Sequence, residues 1–326
     1  MSEKNIPHTN NALLSLSEEI QHIADNVSQS VVSVHSRNIG NGSGVIWNVN
    51  GHIVTCSHIL GEQDKVEVSL SNGKSYQAKV VGNDPYSGIA LLKIQDANSG
   101  KDDNSIIPLK PIEIADSENL KAGQFVLALA NPYGDYPSIT EGIITSERRS
   151  IRGAGWRWAA AADVMDNIVI ANTRLNPGYS GGPLVNAEGR MIGLNMAYIS
   201  SRGIAIRTNK VKTISEQLAK DGEIKIARLG IVTAGISLPS EVVAQLVPIQ
   251  EEGLMVLSVK KDTAAKKAGL LIGDIIVRFN EQPITNLHDL RRQLLKRDAI
   301  GKSAKLTIIR AEKKAELVIV PEEETE

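Results

Sequence analysis

The stretch LNPGYSGGPLVN, residues 175–186, sets Ser180 among three Gly and two Pro, just before a short apolar run. Gly residues let a chain take turns closed to other residues. Such a turn can aim the N–H groups of Gly178 and Ser180 at one point, which is what a developing oxyanion needs. An ordinary loop serine explains the segment equally well when it is taken alone. The chemistry needs two further parts, a base for the Ser proton and a group that orients the base.

The surroundings read as strands. From Val31 the apolar period is two: VVSVHSR, SGVIWNV, HIVTC, KVEVSL, SYQAKVVG and IALLKI are short and rich in β-branched residues. NVNGH and LSNGKS each carry Asn-Gly, a hairpin signal. A polar loop follows at 95–111, and then QFVLALA, SITEGIITSERRS, NIVIANT, GGPLVN, RMIGLNM and GIAIRT resume the pattern. Two strand sets on either side of one polar loop predict two barrels. Before them, Leu13, Leu16, Ile20, Ile23 and Val27 have helical spacing, which predicts a helix over 12–27. That helix either packs on the body of the protein or serves an oligomer contact.

The last hundred residues have another rhythm. KVKTISEQLAK, 210–220, reads as a helix and DGEIKIAR as a linker. Strand, short helix, strand, amphipathic helix and a closing hairpin follow, and then the like-charge run EEETE, expected to be solvated.

Composition narrows the function. The 326 residues suit two or three domains, and a formal net charge of -1 creates no general attraction to nucleic acid or anionic membrane. Aromatic residues make up only 3%, too few for a base-stacking platform. Cys56 is the single Cys, so no intrachain disulfide can form. No apolar run approaches a membrane span, and the first thirty residues carry no secretory pattern. A cytoplasmic location is expected for the chain as written, periplasmic or extracellular if a leader was removed. The Gly-Lys-Ser segments in NGKS and IGKS lack the earlier Gly of a phosphate loop, and GNGSG opens no dinucleotide unit. The His residues show no metal-ligand spacing, so no cofactor or metal is expected.

Three blocks in order decide between the readings of Ser180. GSGVIWNVNGHIVTCSHIL (42–60), DPYSGIALLKI (84–94) and LNPGYSGGPLVN together resemble the trypsin-like half of the HtrA/Deg proteases. The resemblance covers about 28–220 and implies a mainly β fold, two six-stranded barrels with a site between them. It implies His58 as general base, Ser180 as nucleophile, and the amides of Gly178 and Ser180 as the oxyanion hole. It also exposes a departure. Gly88 stands where the family carries the triad Asp, which fixes the His tautomer and stabilises the imidazolium. Exchanging that Asp for a neutral amide costs a related protease about 10⁴ in turnover, and Gly leaves no side chain at all. Ser87, Asp84, Asp163 and Asp166 are the candidates for a rescue, with Asp84 expected to point elsewhere. A second departure is Arg174, six residues before Ser180, where the resemblance implies the base of the specificity pocket. An inward Arg174 fills the pocket or selects an acidic side chain; an outward one does neither. Tyr179 replaces the family's usual Asn.

ARLGIVTAGIS (227–237) and the segment 253–294, with AGLLIGDIIVRFNEQPI most diagnostic, are similar to PDZ domains of the circularly permuted bacterial type. The resemblance implies a small α+β domain in which a peptide C-terminus adds a strand to a sheet edge. Leu229, Gly230 and Ile231 would form its carboxylate loop, and 287–296 the helix beside the groove. The expected organisation is an N-terminal helical segment 1–27, protease domain 28–220, linker 221–225, PDZ domain 226–321 and acidic tail 322–326. Three functions compete: an impaired serine endopeptidase acting on unfolded or exposed polypeptide, a pseudoprotease that binds such chains without cutting, and a structural scaffold. The resemblance also implies a homo-oligomer, commonly a trimer.

Overall fold

The computed structural model describes residues 11–37, 40–95, 109–146, 150–152, 164–223, 227–294 and 299–323. The chain divides into two compact units, Met1–Ile224 and Lys225–Glu326.

The first unit opens with helix α1 (Ala12–Ser28), capped by the Asn11 side chain, whose Oδ1 accepts from Leu13 N at 3.2 Å. Its C-terminal half packs: Ala24 and Val27 are buried and Ile20 and Ile23 lie against the barrel core. Leu13, Leu14 and Leu16 are exposed, so the predicted apolar stripe is only half covered.

Strands β1 (Val31–Ser36), β2 (Gly40–Ile46) and β3 (His52–Cys56) precede a single helical turn, α2 (Ser57–Leu60). Strands β4 (Lys65–Ser69), β5 (Ser75–Asp84) and β6 (Ile89–Ile94) complete a closed barrel in the order β1-β2-β3-β6-β5-β4. Both Asn-Gly signals fall in its hairpins, with Gly51 and Gly73 at positive φ. The second barrel uses β7 (Phe125–Ala130) and β8 (Ser138–Ser146), and, after the two-stranded ribbon β9 (Ser150–Arg152) and β10 (Val164–Asp166), β11 (Ile168–Ala171), β12 (Pro183–Asn186), β13 (Met191–Ile199) and β14 (Arg202–Arg207). It closes in the order β11-β14-β13-β12-β7-β8. One β-branched and Leu-rich core, including Val32, Val54, Leu91, Leu127, Leu194 and Ile206, runs through both barrels. Helix α3 (Thr208–Asp221) follows and buries Val211 and Leu218.

The second unit contains β15 (Ala227–Arg228), β16 (Ile231–Ser237), α4 (Ser240–Val243), β17 (Glu252–Val259), α5 (Ala264–Lys267), β18 (Ile275–Phe279), β19 (Gln282–Pro283), α6 (Leu287–Leu294), β20 (Ala304–Arg310), β21 (Lys313–Ile319) and β22 (Glu322–Glu323). Its sheet runs β16-β17-β18-β20-β21, and among the described residues no strand pairs with the other side of β16. Leu290 and Leu294 of α6 enter the core as expected, and Leu287 packs against it; Leu295 lies outside the described residues. At the start of the acidic run Glu322 and Glu323 form β22 against Ala227 and Arg228; Glu322 accepts from Lys267 Nζ at 2.6 Å and Glu323 is exposed.

Candidate active site

Three consecutive residues in the middle of β2, Gly42 to Gly44, shape the candidate site. Gly42 has no room for a Cβ, which would collide with Ile59 Cδ1, so α2 and its His58 settle directly on the strand. Gly44 admits Ile53, Val32 and Val34 into the barrel interior in the same way. Between them Ser43, fully buried, grips the Ser180 turn. Its Oγ donates to Gly178 O at 2.7 Å and accepts from Asn131 N at 2.9 Å. Its backbone N–H donates to Ser180 O at 2.9 Å.

The turn itself carries Gly178 at φ +91, the conformation the Gly-rich segment predicts. Tyr179 N donates to Asn176 O, Gly181 N to Asn195 O and Gly182 N to Tyr179 O. Among the described residues no backbone carbonyl takes the N–H of Gly178 or of Ser180. Two amides of one tight turn thus remain available for an oxyanion. Tyr179 anchors the turn from below: its ring is buried in the second barrel, and burial raises its pKa, partly offset by the Thr140 and Ser138 hydroxyls.

His58 is half-buried on α2, and burial lowers its pKa below the ordinary imidazole value. The helix sits against the Gly88 turn, since Ser57 N donates to Gly88 O at 2.9 Å. Gly88 has φ +77, and a Cβ there would lie 3.0 Å from Met196 Sδ and 3.6 Å from Ile206 Cδ1. Met196 stands at a bulge in the β13–β14 pairing, between Asn195 and Ala197. Its carbonyl accepts the Ser180 hydroxyl at 3.0 Å. Cys56, directly before α2, is fully buried; its thiol donates to Asn195 O at 3.3 Å, and burial pushes its pKa up to about 12.

The other expected residues are placed as follows. Asp84 is buried, but both its oxygens serve its own turn, accepting from Tyr86 N at 3.1 Å and Ser87 N at 3.2 Å. The Ser87 hydroxyl donates to Asp84 O at 3.4 Å. Both groups are spent on the turn. Asp163 and the side chain of Asp166 lie outside the described residues. Arg174 is exposed, and its carbonyl accepts from Thr140 Oγ1. Reading the chain singled out the Gly-Ser-Gly segment but missed the grip of Ser43, and it missed Asn131 and Met196 altogether. Only the first had a local signal; the others reach the site through the fold.

In the second unit, Leu229 is buried and Gly230 has φ +78. Their carbonyls are held by Ala265 N and Lys260 N, both at 2.9 Å, while no backbone carbonyl among the described residues takes the N–H of either. Ile231 opens the edge strand β16, and α6 packs beside that strand.

Comparison with known proteins agrees with this geometry. Residues 42–194 match the family profile of the trypsin-like peptidase domain and residues 228–320 that of the PDZ domain. The class is therefore a trypsin-like peptidase domain followed by a PDZ domain. Periplasmic serine endoprotease DegP of Escherichia coli strain K12 is 34% identical over 260 residues, 78% of this chain and 51% of the relative. A probable serine protease do-like of Buchnera aphidicola is 35% identical over 261 residues, 78% of this chain and 50% of the relative. The chain spans about half the length of the curated relatives it matches. A serine endoprotease from Yersinia pestis superimposes with TM-score 0.70 at 26% identity, over 94% of this chain and 98% of that one. The HtrA-type protease AlgW, solved with a decapeptide, shares the fold with TM-score 0.73 at 23% identity, over 94% of this chain and 99% of that one. The chain belongs to the HtrA/Deg family.

Proposed function

We propose that the protein is a slow serine endopeptidase of unfolded or exposed polypeptide, with Ser180 as nucleophile and His58 as base. The Ser180 proton passes to His58 while Oγ bonds to the scissile carbonyl carbon, and the amides of Gly178 and Ser180 receive the oxyanion. The C–N bond then breaks, the leaving amine takes the proton from His58, and water releases the acyl group by the same route in reverse. The observation that carries the reading is the pair of unclaimed amides on a turn clamped by Ser43. A site with nucleophile and oxyanion hole but a defective relay retains about 10³ over water.

A second reading, a binding protein that holds chains without cutting them, is favoured by one observation: the Ser180 hydroxyl is committed to Met196 O. The two are separated by labelling with a fluorophosphonate and by casein cleavage, each with the wild type and Ser180→Ala. Labelling and slow cleavage that vanish in the variant support the peptidase. No labelling, with equal casein signals, leaves the binding reading.

The PDZ unit is read as a receptor for peptide C-termini. The Leu229 and Gly230 amides, with Ile231, would hold the carboxylate, and the peptide would lie along the open edge of β16. The exposed leucines of α1 support a homo-oligomer, with a trimer as the family form. No described helix is long and apolar enough to cross a membrane. The periplasmic naming of the DegP relatives supports a location outside the cytoplasm.

A further inference from the structure

A hydroxyl outside the expected catalytic set stands behind the turn that carries Ser180. The Ser43 side chain is fully buried, and its Oγ bridges two backbone groups, donating to Gly178 O at 2.7 Å and accepting from Asn131 N at 2.9 Å. The peptide between Gly178 and Tyr179 is therefore held at both ends, its carbonyl by Ser43 and its N–H by Asn176 O at 3.1 Å. That peptide lies between the two amides read as the oxyanion hole, those of Gly178 and Ser180. We propose that Ser43 is the positioning residue of this hole: its hydroxyl fixes the direction of both amides, and the turnover of a site with Gly88 in the acid position depends on it. The proposal rests on the peptidase reading of Ser180 and His58.

Gly178 lies at φ +91, and Gly is the residue whose backbone turns most freely. Pro132 packs against it, where a Cβ at 178 would collide, but Pro has no N–H to offer the Gly178 carbonyl. Without the Ser43 hydroxyl, that carbonyl and the Asn131 amide both lose a partner. The carbonyl then gains by rotating toward water, and the rotation turns the flanking amides away from a common point. The bond from Ser43 N to Ser180 O involves no side-chain atom, so the turn stays on its strand while the aim of the hole is lost. Removing one oxyanion donor costs an enzyme about 10²–10³ in kcat. A site without its triad acid keeps chiefly what the oxyanion hole and binding supply. Here the hole carries most of the remaining rate, and the residue that aims it matters accordingly.

The test compares casein cleavage, the rate of fluorophosphonate labelling and circular dichroism for wild type, Ser43→Ala, Ser43→Thr and Ser180→Ala. In Ser43→Ala, kcat and the labelling rate are expected to fall at least tenfold, with KM within about threefold of wild type. The oxyanion forms only after the substrate is bound, so loss of the hole leaves KM in place. Ser43→Thr keeps the hydroxyl and is expected within about threefold of wild type in kcat. The acid limb of the rate profile stays in place in both, because neither change touches His58. A merely structural collapse of the site would raise KM and displace that limb. If folded Ser43→Ala loses less than tenfold in kcat, if its loss lies in KM, or if folded Ser43→Thr is as slow as Ser43→Ala, the proposal is overturned while the peptidase reading stands. If Ser180→Ala cleaves and labels as wild type does, the peptidase reading itself fails and takes the proposal with it. Ser43→Cys, of similar volume but a weak donor, replaces Ser43→Ala if that variant loses its native spectrum and is read in the same way. If Ser43→Thr loses it, the division of the Ser43→Ala effect between kcat and KM decides.

Discussion

At the scale of single residues, the base role proposed for His58 makes its protonation state decide when the site can work. Burial favours the neutral ring, the form that would accept the Ser180 proton in the proposed mechanism. The ordinary imidazole value is about 6.5. The acid limb of kcat/KM for casein is therefore expected below that value, and a pH–rate profile checks it; a midpoint well above it would contradict the burial argument. The stability sign is the same. Below about 6.5 the unfolded chain takes a proton that the folded chain resists, so this contribution to stability is complete above that pH and declines as pH falls. His52, also lowered by burial and by Lys93, adds in the same direction. Ser43 shows the opposite kind of residue: uncharged, and fixing the turn through the hydrogen bonds that its Oγ and its N–H donate to the carbonyls of Gly178 and Ser180.

At the scale of elements, His58 is placed by the close approach of a strand and a one-turn helix. Four residues of α2 have no helical stability of their own. Their placement depends on Ile59 seated over Gly42. Gly42→Ala should cost about 1–3 kcal/mol through overpacking. Ile59→Val removes the Cδ1 atom that meets the new methyl and should cost about 1 kcal/mol alone. Combined, the two should cost less than their sum by more than about 0.5 kcal/mol, the mark of residues in contact. Urea unfolding of the three variants measures this, and strict additivity would disprove the packing account. The bulge in β13 acts by the same logic. One extra residue turns Met196 out of register, its carbonyl toward Ser180 and its thioether toward Gly88.

At the scale of the whole molecule, each unit carries the residues of its own candidate site. The barrel unit supplies His58, Ser180 and the clamped turn, while the PDZ unit has a separate core around Leu254, Ile276, Leu306 and Ile308. Within that unit the buried Asp274 is held by both arms of Arg310 at 2.7 Å and accepts from Leu271 N, which fixes the turn before β18. A Cβ at Gly230 would collide with Thr263. Gly230→Val is therefore expected to weaken binding of a labelled C-terminal peptide at least tenfold by fluorescence anisotropy. Fluorophosphonate labelling of Ser180 should be unchanged. A loss of labelling would show that the two sites are not independent.

Much of this was legible in the residues. Alternating β-branched runs, two Asn-Gly hairpins and a Gly-lined serine turn specify barrels and a nucleophile-like turn, because strand period and turn chemistry are local properties. His58 and Gly88 could be assigned their places because they sit in ordered blocks of adjoining sequence. What stands beside Gly88 was not legible. Met196 is 108 positions away (196 less 88), and a bulge, invisible in composition or period, turns it toward Gly88. The grip of Ser43 on Gly178 and Asn131 likewise spans separate strands. The chain determined which groups are present; the tertiary structure decided which of them meet, because closing two barrels brings distant strands within hydrogen-bond reach.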